Sequence, residues 1–72
     1  MNNTIRLKQI RKQNHMTQNQ VAEAVGLSTR HYQKLENLQS DIKLSQIVKF
    51  CKFFNVSIAY FLGETDEFTT YY

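Results

Sequence analysis

The sequence predicts an all-α fold of five short helices, and three observations support this prediction. Apolar residues recur at helical spacing in separate segments, and most of these segments follow a Ser, Thr or Asn that can cap a helix. The 72 residues include no Pro and only two Gly, at positions 26 and 63. Each Gly follows an apolar segment, where a left-handed residue commonly ends a helix. A chain of this length holds one domain.

The first predicted helix covers residues 3–14. Leu7 and Ile10 lie on one face at helical spacing, so both are expected in the core. Asn3 or Thr4 can cap the start of this helix. Basic residues fill its last turns, where they interact favourably with the negative end of the helix dipole.

Two further helices are predicted on either side of Gly26. Thr17 and Gln20 match a capping box, which predicts a helix over residues 18–25. Gly26 suits the left-handed position that ends this helix, and Ser28 can cap a third helix that extends to position 37. The residues of this segment that are expected to serve as scaffold are Val21, Ala22, Val25, Leu27, Tyr32 and Leu35.

Two more helices are predicted after a polar connection over residues 38–43. Ser45 is expected to open the fourth helix and Asn55 to end it. Ser57 can cap a fifth helix over residues 58–62, which Gly63 ends. The apolar face of the fourth helix is expected to consist of Ile47, Val48, Cys51 and Phe54, with Phe50 beside them.

Charge is divided unequally along the chain. Residues 1–62 contain all nine Lys and Arg and three acids, for a net charge of +6, whereas the other three acids give residues 63–72 a net charge of −3. A basic body favours a polyanionic partner such as nucleic acid, although a mildly basic soluble protein has the same composition. The aromatic and Thr residues at 68–72 leave room for a short strand.

Several classes of protein are disfavoured. Cys51 is the single cysteine, so no internal disulfide is possible, and a buried structural thiol is expected in preference to a redox sensor. No apolar run approaches the ~20 residues of a membrane span, and the start lacks a signal-peptide pattern, so a cytoplasmic protein is expected. The acids are scattered and the two His lack metal-ligand spacing, so no enzyme, metal site or cofactor is expected.

The strongest functional signal is the segment over residues 17–37. It consists of two short capped helices joined by a tight glycine turn, and the second helix carries several long polar side chains on its outer face. Such an arrangement places hydrogen-bonding groups in the major groove of DNA. Arg can bridge two acceptors of guanine, Gln can pair with adenine, and the Thr methyl can contact thymine.

These features, in this order, resemble the Cro and phage-repressor type of helix-turn-helix proteins, a pattern also found in many small bacterial regulators of the XRE class. The resemblance covers about residues 5–63. The segments that carry it are Thr17-Gln18, Leu35-Glu36-Asn37, Phe54-Asn55-Val56-Ser57 and Phe61-Leu62-Gly63. It implies a five-helix, lambda-repressor-like DNA-binding domain over residues 1–63, followed by a C-terminal tail over residues 64–72.

The sequence departs from the family pattern at three positions. Leu38 stands where family members often have Gly, and Ile42 where Pro is common. Asn55 also stands at a common Gly position, but Asn tolerates the left-handed conformation. None of the three residues is expected to face the groove.

The resemblance also implies a set of DNA contacts. The expected base contacts are Thr29, Arg30, Gln33 and Lys34, of which Lys34 reaches either a base or a phosphate. The expected phosphate contacts are Gln18, Ser28, Asn37 and Lys43. Gln18 is also expected to orient residues of the third helix, and Ser28 to cap, to contact a phosphate, or both. His31 is expected either to contact the DNA backbone or to be solvated. The alternative for the other residues is that they are only solvated.

A different role is implied for Arg11 and Glu36. The resemblance predicts an ion pair between them that links the first helix to the end of the third. This pair would fix the DNA-reading helix on its scaffold and would not itself bind DNA.

The sequence therefore predicts a sequence-specific double-stranded DNA-binding regulator, a repressor, with no small-molecule ligand. One helix-turn-helix reads few base pairs, so a homodimer on a near-palindromic operator is expected. The chain has more aromatic residues than a small core needs, namely Phe53, Tyr60 and those of the tail. Helix five and the tail are therefore candidate dimer contacts. The alternative is that the aromatic residues of the tail fold back on their own domain. Two alternatives are an antitoxin-like or anti-repressor module with a protein partner, and a non-specific nucleoid binder.

Overall fold

The computed structural model describes residues 5–67, and these residues form five helices and no strand. In chain order the helices are α1 (Leu7–Gln13), α2 (Gln18–Ala24), α3 (Thr29–Glu36), α4 (Leu44–Phe54) and α5 (Ile58–Phe61). The all-α prediction is confirmed. Residues 68–72, where the sequence left room for a strand, lie outside the described part of the chain.

Three aromatic side chains form the centre of the core. Tyr32 of α3 meets Phe50 of α4 edge to face, with ring centroids 5.9 Å apart, and Phe50 stacks on Phe61 of α5 at 6.0 Å. Such pairs stabilise beyond the area they bury. Tyr32 therefore anchors α3, whose outer face is polar, at the centre of the domain. The other buried apolar residues are Leu7, Ile10, Val21, Ala22, Val25, Leu35, Cys51, Val56 and Tyr60.

Side-chain caps start three of the helices at the predicted residues. Thr17 Oγ1 accepts the Gln20 N–H at 3.1 Å, while Gln20 Oε1 accepts the Thr17 N–H at 2.9 Å, which completes the capping box. Ser28 Oγ accepts a backbone N–H at the start of α3, and Ser57 Oγ does so at the start of α5.

Each of the five helices is followed by a residue with left-handed backbone: His15, Gly26, Leu38, Asn55 and Gly63. After α2 the Leu27 N–H returns to the Ala22 carbonyl at 2.8 Å, and after α3 the Gln39 N–H returns to the Lys34 carbonyl at 2.8 Å. These are Schellman hydrogen bonds, which satisfy carbonyls that the helix leaves free. Leu38 thus keeps the backbone of the family's glycine, although an L side chain there costs about 1–2 kcal/mol.

Two predicted helix starts are wrong. α1 begins at Leu7 and not at position 3, because the Arg6 N–H donates to the Phe61 carbonyl at 2.9 Å and holds this segment against the end of α5. The predicted caps Asn3 and Thr4 lie outside the described residues. α4 begins one residue before Ser45, because Gln46 Oε1 accepts the Lys43 N–H at 2.9 Å and caps the helix there. The predicted ends of α1, α2, α3 and α5 each include the C-cap residue, one position too far.

The aromatic residues of α4 and α5 are buried differently from the prediction. Phe50 and Cys51 are the fully buried residues of α4, while its other predicted core residues are half-buried. Tyr60 is buried and lies under the Arg6 guanidinium, 4.4 Å from the ring centroid, so it packs within its own domain. Arg6 also pairs with Asp66 at 2.9 Å. Of the two residues singled out for a dimer surface, only Phe53 is exposed.

The left-handed backbone at Leu38 predicts an unusual order of stability for two variants. Leu38→Gly should be more stable than Leu38→Ala by about 0.5–1 kcal/mol. Both changes remove the same apolar side chain, but the Ala Cβ remains strained at φ 60°, and this strain exceeds the entropy cost of Gly. Urea unfolding measures the difference, and an Ala variant as stable as the Gly variant would contradict the argument.

Gly26→Ala is the matched control, because it adds a Cβ to a second residue with left-handed backbone. No heavy atom lies within 4 Å of the position that the added Cβ would take, so its cost comes from the backbone conformation alone. We expect a loss of about 1–2 kcal/mol.

Candidate nucleic-acid interface

The outer face of α3 carries a row of exposed polar side chains. Arg30, Gln33 and Lys34 are exposed, while Tyr32 and Leu35 on the opposite face are buried. A helix this short is marginal alone and depends on packing. The burial of its apolar face therefore fixes which side chains α3 presents to a partner.

The start of α3 is tied to α2 through Thr29. This side chain is half-buried, and its hydroxyl donates to Asn19 Oδ1 at 2.6 Å. Because the hydroxyl proton is engaged, the methyl group is the part of Thr29 that remains suited to a base contact. The role of Asn19 had no signal in the sequence, since it depends on the packing of two helices.

Glu36 is the centre of a hydrogen-bond network that joins α1, α2 and α3. Its Oε2 accepts from Arg11 Nε at 2.6 Å and from the Tyr32 hydroxyl at 2.5 Å. Its Oε1 accepts from Gln18 Nε2 at 3.0 Å and from Arg11 Nη2 at 3.3 Å. Arg11 Nη1 also donates to the Met16 carbonyl at 2.9 Å. The Glu36 side chain has 0% exposure and that of Arg11 12%, so the pair is nearly sealed from water.

The network keeps Glu36 ionised. Burial alone would raise the pKa of Glu36, but the hydrogen bonds from Arg11, Tyr32 and Gln18 outweigh burial and lower the pKa below its ordinary value of 4.5. The hydrogen bond to Glu36 raises the pKa of Arg11. Burial, and then the bond to Glu36, raises the pKa of Tyr32, so its hydroxyl stays a donor.

Gln18 extends this network to the exposed face of α3. Its Nε2 donates to Glu36, and its Oε1 accepts from Gln33 Nε2 at 3.0 Å. The half-buried Gln18 amide therefore connects a buried carboxylate to a side chain that is available to a partner. One N–H of Gln18 and one N–H of Gln33 remain after these bonds are made.

The other edge of α3 faces the start of α4. Gln46 Oε1 is engaged by the Lys43 N–H, so the Gln46 amide nitrogen faces His31 Nε2, 3.3 Å away, and the imidazole nitrogen accepts. Ser28 Oγ accepts the His31 N–H at 3.1 Å, so Ser28 is a cap, and its hydroxyl proton remains available. Sequence reasoning missed Gln46, because nothing local relates it to α3.

The predicted contact residues lie on α3 or at the ends of neighbouring helices. Gln18 opens α2, Ser28 caps α3, Asn37 follows α3 and Lys43 precedes α4. Asn37 and Lys43 are exposed. Tyr32, which the sequence assigned to the core only, also supports the site, and its position four residues before Glu36 could have indicated this contact.

Cys51 does not belong to this interface. It is fully buried, with its Sγ 3.9 Å from the Ser57 carbonyl oxygen. Burial raises the pKa of the Cys51 thiol to about 11, so it is not a reactive thiolate. Within residues 5–67 no three His, Cys, Asp or Glu are grouped to hold a metal ion, and none of the five helices has the length and apolar character to cross a membrane.

A short capped helix, a tight left-handed turn and a second helix with an exposed polar row define a helix-turn-helix DNA-binding protein. The chain matches the family model described as Helix-turn-helix over residues 7–61. It therefore belongs to the helix-turn-helix family, in its XRE class, and is a DNA-binding protein.

A curated relative agrees with this family. The chain is 34% identical over 62 residues to the "Uncharacterized HTH-type transcriptional regulator YobD" of Bacillus subtilis (strain 168). The match covers 86% of the chain but 55% of the relative, so the chain spans about half the relative's length. No solved structure matches the chain. Family and relative together support DNA binding in transcription regulation.

The Glu36 network predicts that two polar substitutions differ greatly in cost. Glu36→Ala should lower the free energy of unfolding by about 3–5 kcal/mol, because it leaves Arg11 without its partner in a nearly dry site. Gln33→Ala, at an exposed position, should change it by about 0.5 kcal/mol or less. Denaturant unfolding of both variants measures this, and equal stabilities would contradict the role given to Glu36.

The lowered pKa of Glu36 predicts a specific dependence of stability on pH. The unfolded chain binds the Glu36 proton more readily than the folded chain, so this contribution is present above pH 4.5 and is lost as pH falls through the folded pKa. The stability gap between wild type and Glu36→Gln should therefore narrow below about pH 4.5. Melting temperatures of both proteins across this range measure the gap. A gap that stays constant would show that Glu36 titrates alike in both states.

Proposed function

We propose that the chain is a homodimeric repressor that recognises a near-palindromic operator in double-stranded DNA. The observation that carries this proposal is the exposed polar row of α3. The buried side chain of Tyr32 and the hydrogen bonds of Glu36 hold this row in place. The base contacts in this proposal are Thr29, Arg30, Gln33 and Lys34. The phosphate contacts are Gln18, Ser28, Asn37 and Lys43.

The chemistry of the row suits base edges in the major groove. Arg30 can bridge the two acceptors of guanine, and Gln33 can pair with adenine through its free N–H and its oxygen. Thr29 can place its methyl on thymine, since Asn19 engages its hydroxyl. Lys34 reaches a base or a phosphate. Each bidentate pair contributes about 1–3 kcal/mol of discrimination.

Phosphate contacts would fix the register of this row on the duplex. Gln18 keeps one amide N–H for a phosphate after its bond to Glu36, and Ser28 keeps its hydroxyl proton. Lys43 is an exposed cation at the start of α4, the helix whose Gln46 contacts His31 of α3. By contrast, Arg6 and Arg11 are committed to Asp66 and Glu36.

A dimer follows from the small number of base pairs that one α3 can read. Two copies related by a twofold axis would place their α3 helices one DNA turn, ~34 Å, apart. Phe53 is 43% exposed and packs on Phe54 at 4.9 Å between ring centroids. We propose Phe53, α5 and the tail over residues 64–72 as the dimer contact. A dimer seated in the groove would exclude other proteins from the same site, which supports repression.

Selection of binding sites from random DNA tests this proposal. We expect an inverted repeat with half-site centres about 10 base pairs apart, bound far more tightly than bulk DNA at the same salt concentration. Failure to recover any motif would refute sequence-specific recognition. Little preference with a steep salt dependence would identify a non-specific binder. Purification in a stable complex with another protein, without an operator, would identify the antitoxin-like alternative.

We expect the Arg30→Ala variant to lose its base preference at one position in each half-site. The variant should lose about 1–3 kcal/mol of discrimination there, because the bidentate contact to guanine is removed. Parallel site selection with wild type and variant measures the change position by position. A uniform loss of affinity across all sequences would instead identify Arg30 as a phosphate contact.

A further inference from the structure

We infer that Glu36 determines which base Gln33 prefers, although Glu36 itself is sealed from DNA, by fixing the orientation of the Gln18 amide. This inference rests on the proposed function, because it requires Gln33 to contact a base. The structure supports it through two successive hydrogen bonds, Gln18 Nε2 to Glu36 Oε1 and Gln33 Nε2 to Gln18 Oε1, each 3.0 Å long.

The carboxylate of Glu36 fixes the orientation of the Gln18 amide. An ionised carboxylate only accepts hydrogen bonds, so the atom of Gln18 that faces it must be the amide nitrogen. The reverse orientation would place the Gln18 oxygen against a carboxylate oxygen. The Glu36 side chain has 0% exposure, so water has no access to relieve that repulsion. Arg11 Nε and the Tyr32 hydroxyl both donate to the other carboxylate oxygen, Oε2.

Gln18 passes this orientation to the exposed face. With its nitrogen turned to Glu36, Gln18 presents its oxygen to Gln33, and an amide oxygen also only accepts. Gln33 must therefore turn its own nitrogen towards Gln18. The polarity of the buried carboxylate thus fixes the polarity of an exposed side chain.

The bond to Gln18 determines which hydrogen-bonding groups of the Gln33 amide remain available to a base. After one N–H is given to Gln18, its oxygen and its second N–H remain. Adenine presents a matching donor and acceptor in the major groove, N6–H and N7, whereas guanine presents two acceptors, O6 and N7. The two hydrogen bonds from Gln33 to Gln18 and from Gln18 to Glu36 form a relay, and this relay therefore selects adenine. A reversed relay would use the Gln33 oxygen, leave two N–H donors, and favour guanine.

Glu36→Gln is the substitution that reverses the relay. The introduced amide would keep its oxygen where Oε2 now accepts from Arg11 and Tyr32, since both donors remain. Its nitrogen would then face Gln18 and forfeit the longer 3.3 Å contact with Arg11. Gln18 would turn its oxygen towards this nitrogen, and its own nitrogen towards Gln33.

The test is site selection, followed by affinity measurements, with wild type and Glu36→Gln. The base pair that Gln33 reads is defined as the one whose preference Gln33→Ala removes. At this pair we expect wild type to prefer adenine and Glu36→Gln to shift the adenine-to-guanine affinity ratio towards guanine by about tenfold. The preference at the base pair that Arg30 reads should stay unchanged.

Two controls separate this effect from a loss of structure. In a Gln33→Ala background, Glu36→Gln should no longer change the adenine-to-guanine ratio, because the relay has lost its end. Gln18→Met leaves Glu36 its Arg11 and Tyr32 donors and should bring the ratio close to parity without reversing it. Gln18→Met also serves as the deciding variant if Glu36→Gln does not fold.

The results distinguish a failure of the proposed function from a failure of the relay. If wild type yields no motif, the proposed function fails. If wild type yields a motif but Glu36→Gln binds all sites more weakly with an unchanged ratio, Glu36 is only structural and the relay is overturned. An unchanged ratio in Gln18→Met, or a Gln33→Ala variant that alters no base preference, overturns it as well.

Discussion

The position of α3 depends on the burial of one charge. A carboxylate without exposed surface must be paired and hydrogen-bonded, since an unpartnered buried charge is very costly. The donors to Glu36 come from α1, α2 and α3, through Arg11, Gln18 and Tyr32. α3 cannot slide or rotate against its neighbours without breaking some of these bonds. An eight-residue helix, which is marginal alone, is thereby held in one register.

Tyr32 joins this polar network to the apolar core. Its ring lies edge to face against Phe50, and its hydroxyl donates to Glu36 from the same side chain. The packing of the ring therefore sets the position of a donor, and the carboxylate in turn limits how the ring can move. Core packing and site geometry are coupled here, so the scaffold of α3 is not separable from its exposed face.

The features that the sequence predicted are those that depend on neighbouring residues. Thr17 with Gln20, Gly26 and Ser28 follow local capping rules, and Tyr32 and Leu35 follow helical spacing, so all of these were placed correctly. The errors arose where distant residues decide. The hydrogen bond from Arg6 to Phe61 makes α1 begin later than predicted, and the stacking of Arg6 on Tyr60 buries an aromatic residue that was expected on the surface. The contacts of Asn19 and Gln46 each join two separate helices, so no local pattern indicates them.

Gln18 belongs both to the scaffold and to the proposed DNA contact, and this has a consequence for how specificity is encoded. A base preference is usually attributed to the side chain that touches the base. A side-chain amide can present either of two hydrogen-bonding patterns to a base. In the proposed relay, the pattern that Gln33 presents is set two hydrogen bonds away, at the buried carboxylate of Glu36. Two relatives with the same Gln at the position of Gln33 need not prefer the same base if they differ at the position of Glu36 or Gln18. The identity of the exposed residues on α3 is therefore an incomplete description of the code, and the polarity of the network beneath them has to be included.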